Sequence, residues 1–136
     1  MLGAMKTVIF ACVHNAGRSQ MAAAFANAAV AGKVRALSAG TDPGTHVHPE
    51  VIEAMKEVGI DLSDARPRRL TAELAQGADL LVTMGCGDKC PYVPGLRIED
   101  WPLEDPKGQP TEKVREIRDE IKRRVDTLLA REHIST

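Results

Sequence analysis

Short unbroken apolar runs alternate along this chain with stretches whose apolar residues recur every three or four positions. Residues 7–11 (Thr7-Val8-Ile9-Phe10-Ala11) have the continuous apolar character of a strand covered on both faces; 34–38 read as a second short strand, and 78–84 as a third, buried one with Leu80, Leu81 and Val82 in sequence. Residues 96–100 predict a fourth, weaker strand. Helical patterns fall between them. Residues 19–31 are dense in Ala, with Met21 and Phe25 four apart. Residues 49–58 open on Pro49, place Val51, Ile52, Met55 and Val58 on one face, and stop at Gly59. A short helix is expected over 71–75. The strongest lies over 111–132, where Val114, Ile117, Ile121, Val125 and Leu128 recur at three and four residues.

Strands alternating with helices predict an α/β fold with a four-stranded parallel sheet, right-handed crossovers and helices flanking it. No repeat, low-complexity tract or long linker divides the chain, so residues 1–136 are read as a single domain. In such sheets ligands bind beyond the carboxyl ends of the strands. Cys12 falls just after the first strand, Cys86 just after the third, and Cys90 in the same loop as Cys86.

Composition narrows the function classes. Hydrophobic residues make up 43% and charged residues 27%, the mixture of a soluble globular protein. Eighteen Lys and Arg against 19 Asp and Glu leave a net charge of -1, so no bulk field favours nucleic acid or an anionic membrane as partner. Aromatics at 3% argue against base-stacking platforms. Three cysteines, an odd number, suit a reducing compartment and thiols kept for chemistry or packing. The N-terminal apolar run is too short for a membrane span and lacks the layout of a cleaved signal, so a cytoplasmic protein is expected.

The segment Cys12-Val13-His14-Asn15-Ala16-Gly17-Arg18-Ser19 must join a strand to a helix in very few residues. Such a curl turns successive N–H groups inward at a helix N-terminus, an anion nest made from the backbone of Val13, His14, Asn15, Ala16 and Gly17. Arg18 adds a planar fork of donors suited to a tetrahedral oxyanion. Amides, helix dipole and Arg18 all favour the thiolate form of Cys12, giving a nucleophile aimed at the centre of a bound oxyanion. A Walker-type phosphate loop is excluded, because no Gly-Lys-Ser/Thr ends this turn. A plainer reading of Cys12 is a small core residue ending a strand, and of Ser19 the N-cap of the following helix.

Cys12-x5-Arg18-Ser19 in this setting resembles the low-molecular-weight protein tyrosine phosphatase family. The fuller string from Cys12 to Met21 resembles its arsenate-reductase branch of the thioredoxin-coupled type. Further matches are Ser38-Ala39-Gly40-Thr41, His48-Pro49, Gly59-Ile60-Asp61-Leu62-Ser63, Val82-Thr83-Met84-Gly85-Cys86 and Asp105-Pro106, covering nearly the whole chain. The resemblance implies a flavodoxin-like three-layer fold and thiol-based reduction of arsenate to arsenite without a cofactor. It also implies thioredoxin as reductant, with phosphate or sulfate as competing oxyanions. Asn15 and Ser19 would hold the loop and hydrogen-bond the Cys12 thiolate. Asp105, rather than its neighbour Glu104, would be the acid that helps oxygen leave; apart from the resemblance, a loop carboxylate before Pro is an ordinary turn residue.

Arsenate reduction takes two electrons, which one thiol cannot supply. The resemblance gives Cys86 the role of attacking Cys12 and Cys90 that of carrying the disulfide outward, by ordinary thiol–disulfide exchange. Cys86 and Cys90 stand closer together than in the best-known members of the branch. Some members bind potassium through the loop Asn and nearby hydroxyl and carboxylate groups; here Arg66 and Arg68 occupy part of that region beside Asn15 and Ser38, so no metal is expected. Nor do His14, His46, His48 and His133 have the spacing of a zinc site with the distal cysteines. The basic run Arg66-Pro67-Arg68-Arg69 reads as a solvated loop, and the His14 side chain as pointing away from the anion. Hydrolysis of a phosphomonoester through a phospho-cysteine is the rival activity, needing the same loop but not Cys86 or Cys90. A non-catalytic oxyanion sensor would need no acid at Asp105. The electron donor stays open between thioredoxin and a low-molecular-weight thiol.

Overall fold

The computed structural model describes residues 6–30, 32–85 and 93–132. Four parallel strands form one sheet in the order β2-β1-β3-β4, with β1 (Lys6–Cys12) and β3 (Leu80–Thr83) inside, β2 (Val34–Gly40) and β4 (Arg97–Asp100) at the edges. Four helices connect or follow them: α1 (Arg18–Ala29), α2 (Pro49–Lys56), α3 (Ala72–Gln76) and α4 (Thr111–Arg131). This is the α/β sheet expected from the alternating pattern, and every predicted element is present.

The inner strands are apolar from Val8 to Cys12 and from Leu80 to Val82 because both their faces are covered there. On one face Val8, Phe10, Leu80 and Val82 meet Met21 and Phe25 of α1, Val51 and Met55 of α2, and Ile117, Ile121, Val125 and Leu128 of α4. On the other, Ile9, Ala11 and Leu81 pack with Ala39 and Leu70, flanked by Leu74 of α3. Helix α2 is shorter than the expected 49–58. Its chain turns out through Gly59 (φ 83), with Ile60 N–H on Met55 O and Gly59 N–H on Lys56 O, each 3.0 Å, the Schellman arrangement. Strand β3 is likewise shorter than 78–84. Asp79 N–H donates to Thr7 O at 2.8 Å while its carboxylate takes Thr7 N–H, so the side chain closes the strand's start.

The order places β1 and β3 side by side where the connections leave in opposite directions, the switch point at which open α/β sheets bind ligands. Cys12 ends β1 at that point.

Candidate active site

Residues 13–17 form the curl between β1 and α1, and its polarity is set from outside. The carbonyl oxygens of Cys12, Val13, His14 and Ala16 accept the N–H groups of Thr41 (3.2 Å), Asp42 (2.8 Å), Gly44 (2.9 Å) and His48 (2.9 Å). The Asn15 carbonyl accepts Gln20 Nε2 at 3.1 Å, and the Gly17 carbonyl accepts Met21 N–H at 3.0 Å. Six successive carbonyls are thus turned outward and satisfied. Among the described residues nothing accepts the N–H groups of residues 13–17. Helix α1 begins at Arg18 with Gly17 as its N-cap, no capping side chain and no acidic residue in its first turn. Free amides and the positive helix end therefore converge, as an oxyanion requires.

Cys12 is 2% exposed, and its Sγ lies 2.9 Å from Ser19 Oγ. Ser19 is not the N-cap; it is the second residue of α1, and its hydroxyl is occupied inside the loop, accepting Asn15 Nδ2 at 2.7 Å. With that lone pair engaged, the hydroxyl proton is free to point at sulfur. Asn15 is wholly buried at φ 51, a left-handed conformation that Asn tolerates better than most residues. Its Oδ1 accepts Arg68 N–H at 2.9 Å and Gln20 Nε2 at 3.3 Å.

Arg18 is 8% exposed; its Nη1 donates to Leu103 O at 3.0 Å, and its Nη2 stands 4.0 Å from Asp105 Oδ2. The guanidinium and the proposed acid are therefore neighbours. Asp105 Oδ1 also accepts Lys107 N–H at 3.0 Å. The imidazole of His14 turns away, its Nδ1 on Asp42 O at 3.0 Å. Cys86 and Cys90 lie outside the described residues.

Several residues of this site carried no signal as single positions. Gln20 ties the loop to Arg66 O at 3.3 Å. His48 lies at the rim, where burial, first among its influences, holds its imidazole below the usual value against the opposing pull of Glu50 and Asp105. Two glycines give room. A Cβ on Gly40 would stand 2.6 Å from Val13 O, and one on Gly85 2.6 Å from Arg18 Nη1. The run from Arg66 to Arg69 has exposed side chains, as read, but its backbone serves the loop through Arg68 N–H on Asn15 and Gly40 N–H on Arg68 O.

A buried thiol at the start of this loop, with Arg18 at its end and the Asp105 carboxylate beside that guanidinium, is an arrangement that suits the chemistry of tetrahedral oxyanions. The chain belongs to the low molecular weight phosphotyrosine protein phosphatase family, whose model matches residues 7–135. It is 41% identical over 130 residues to a glutaredoxin arsenate reductase of Synechocystis sp., covering 93% of this chain and 98% of that protein. It is 38% identical over 131 residues to an arsenate reductase of Staphylococcus aureus, again covering 93% and 98%. Among solved structures, a thioredoxin-dependent arsenate reductase of Corynebacterium glutamicum superposes with a TM-score of 0.82 at 40% identity. That match covers 96% of this chain and 63% of the other. No helix among the described residues is long and apolar enough to cross a membrane.

Proposed function

We propose that this chain, acting as a single cytoplasmic domain, reduces arsenate to arsenite. The Cys12 thiolate attacks arsenic while Arg18 and the amides of residues 13–17 hold the oxyanion. An S–As bond forms and an As–O bond breaks, the oxygen leaving as water with a proton from Asp105. The Cys86 thiolate then attacks Cys12 Sγ. The S–As electron pair passes to arsenic, which departs as arsenite, and two thiols have become one disulfide. Cys90 attacks Cys86, frees Cys12 and leaves Cys86–Cys90 for thioredoxin to reduce. Phosphate and sulfate compete for the same nest.

The observation that carries this reading is Cys12 Sγ at 2.9 Å from Ser19 Oγ, at the start of a loop whose amides have no acceptor among the described residues. Phosphomonoester hydrolysis is the second reading, favoured by the same loop and by the 4.0 Å approach of Asp105 to Arg18. The relatives' names point to two kinds of protein dithiol as donor, so thioredoxin and glutaredoxin are separate arms of the test.

The test follows arsenite formation with thioredoxin, thioredoxin reductase and NADPH in one arm and with glutaredoxin, glutathione, glutathione reductase and NADPH in the other, beside aryl phosphate hydrolysis by the same preparation. Cys86→Ser should lose arsenite production and keep any hydrolysis that depends on Cys12. Cys90→Ser should stop after about one turnover as a Cys12–Cys86 disulfide seen by peptide mapping, since exchange has no third thiol to reach. All three thiols remaining free after arsenate treatment of the reduced protein would overturn the relay and leave hydrolysis ahead.

A further inference from the structure

Asp105 sits in an irregular connection between β4 and α4 with its side chain 45% exposed, so its position must be imposed by contacts elsewhere in that segment. Before it, buried Trp101 donates its N–H to Thr83 O at 2.7 Å, and Leu103 O receives Arg18 Nη1. Immediately after it, buried Pro106 packs on the anion loop so closely that a Cβ on Gly17 would stand 2.9 Å from its Cγ. Two residues further, Gly108 N–H donates to Glu50 Oε2 at 2.7 Å.

Glu50 belongs to the first turn of α2. The residue that precedes this helix, His48, donates its N–H to Ala16 O of the anion loop. One helical turn therefore grips both parts of the site: the curl that holds the oxyanion and the segment that carries the acid. Burial would raise the Glu50 pKa, but the hydrogen bonds from Gly108 N–H and its own N–H, with the pull of His48, leave it below its ordinary value. Glu50 is thus a carboxylate at neutral pH, and its hydrogen bond to Gly108 is charge-assisted.

We propose that Glu50 is the positioning residue for Asp105, holding the 105–108 segment so that the acid faces the oxygen about to leave. This rests on the reading of Asp105 as the acid. The bound oxyanion meets Arg18 and loop amides, none of which Glu50 touches, so Glu50 acts on the chemical step and not on binding. Misplacement of a catalytic group by 1 Å can cost on the order of a hundredfold in rate. An unpinned but still tethered loop should lose roughly tenfold, within what a displaced general acid supplies.

The test compares the full chain with Glu50→Ala, Glu50→Gln and Asp105→Asn. It reads the single-turnover rate of arsenite formation at saturating arsenate, and separately the phosphate concentration that protects Cys12 from alkylation. Glu50→Ala should lower the rate about tenfold and leave the protecting phosphate concentration within about twofold, a split between chemistry and binding. Glu50→Gln, which keeps an oxygen for Gly108 N–H, should stay within about threefold of the parent chain. Combined with Asp105→Asn, Glu50→Ala should cost nothing further. The proposal is overturned if Glu50→Ala keeps its rate while Asp105→Asn loses it, if phosphate protection falls in step with rate, or if Gln does no better than Ala. An unchanged rate for Asp105→Asn would instead remove the acid assignment, and the role of Glu50 with it.

Discussion

Asn15→Ala measures what it takes to keep the anion loop curled. The residue is wholly buried at φ 51, and its side chain serves three partners: Arg68 N–H at 2.9 Å, Gln20 Nε2 at 3.3 Å and Ser19 Oγ at 2.7 Å. Ala there adopts a left-handed conformation that costs an L-residue with a plain Cβ about 1 kcal/mol. Gln20 keeps the Asn15 and Arg66 carbonyls, but Arg68 N–H loses its acceptor, and a part-buried orphan donor costs about 1–3 kcal/mol. The total is roughly 3 kcal/mol, which for a chain of this size lowers Tm by about 10 °C. Thermal unfolding of the reduced protein in anion-free buffer reads it directly. Asn15→Gly supplies the internal control, because it removes the same hydrogen bonds but not the backbone freedom. It should be about 1 kcal/mol more stable than the Ala variant. Ser19 loses the donor that fixes its hydroxyl, so Cys12 should also alkylate more slowly in both. An Ala variant within about 1 kcal/mol of the parent, or equal stability of Ala and Gly, would refute the claim that Asn15 holds the curl.

Two further perturbations probe other supports. Gly85→Ala places a Cβ 2.6 Å from Arg18 Nη1 on a backbone at φ 92. It should weaken phosphate protection of Cys12 by about tenfold or more, as expected for a displaced charge-assisted donor; unchanged protection would show that the guanidinium has room to move. Glu57, on which Arg115 and Arg118 converge with hydrogen bonds, is held down to about 2. A carboxylate depressed on folding stabilises above its unfolded value of 4.5 and loses that contribution as pH falls toward about 2. The Tm gap between the parent and Glu57→Gln should therefore be open at pH 6 and narrow across that window; a gap of constant size would contradict it.

What the sequence disclosed is what lies contiguous in the chain. The strands are visible because β1 and β3 are covered on both faces, so Val8 to Ala11 and Leu80 to Val82 need no alternation. The cysteine, the arginine and the curl between them are visible because one loop carries them all. Gln20, Gly40 and Gly85 fall inside the matched strings but were given no role, and Glu50 was not singled out, because each acts through contacts that only the folded chain makes, on that loop or on the segment of Asp105. As single residues they are a helix position, an exposed acid and two turn glycines. Ser19 was half legible: its type fits an N-cap, and only the start of α1 at Arg18 turns its hydroxyl toward Cys12. The Arg66 to Arg69 run was read correctly as a solvated loop, and its support of the site went unseen for another reason. Its contribution is made by backbone atoms, which any sequence supplies.

The same contrast explains how a chain of net charge -1 can build the anion site proposed for it. Residues 13–17 present amides inward only because every carbonyl from Cys12 to Gly17 accepts a donor elsewhere, from the segment 41–48, from Gln20 or from α1 itself. Turning those dipoles in water would be undone by solvent. Here the reorganisation is completed when the sheet and the 40–48 connection fold, before any oxyanion arrives, which is the condition under which fixed dipoles accelerate chemistry most. Gly40 marks how closely that connection is pressed onto the loop, with no space for a side chain between it and Val13 O. In the proposed function the charge that attracts the oxyanion is local, from one Arg and a set of oriented peptides, and so a net charge of -1 places no obstacle before it.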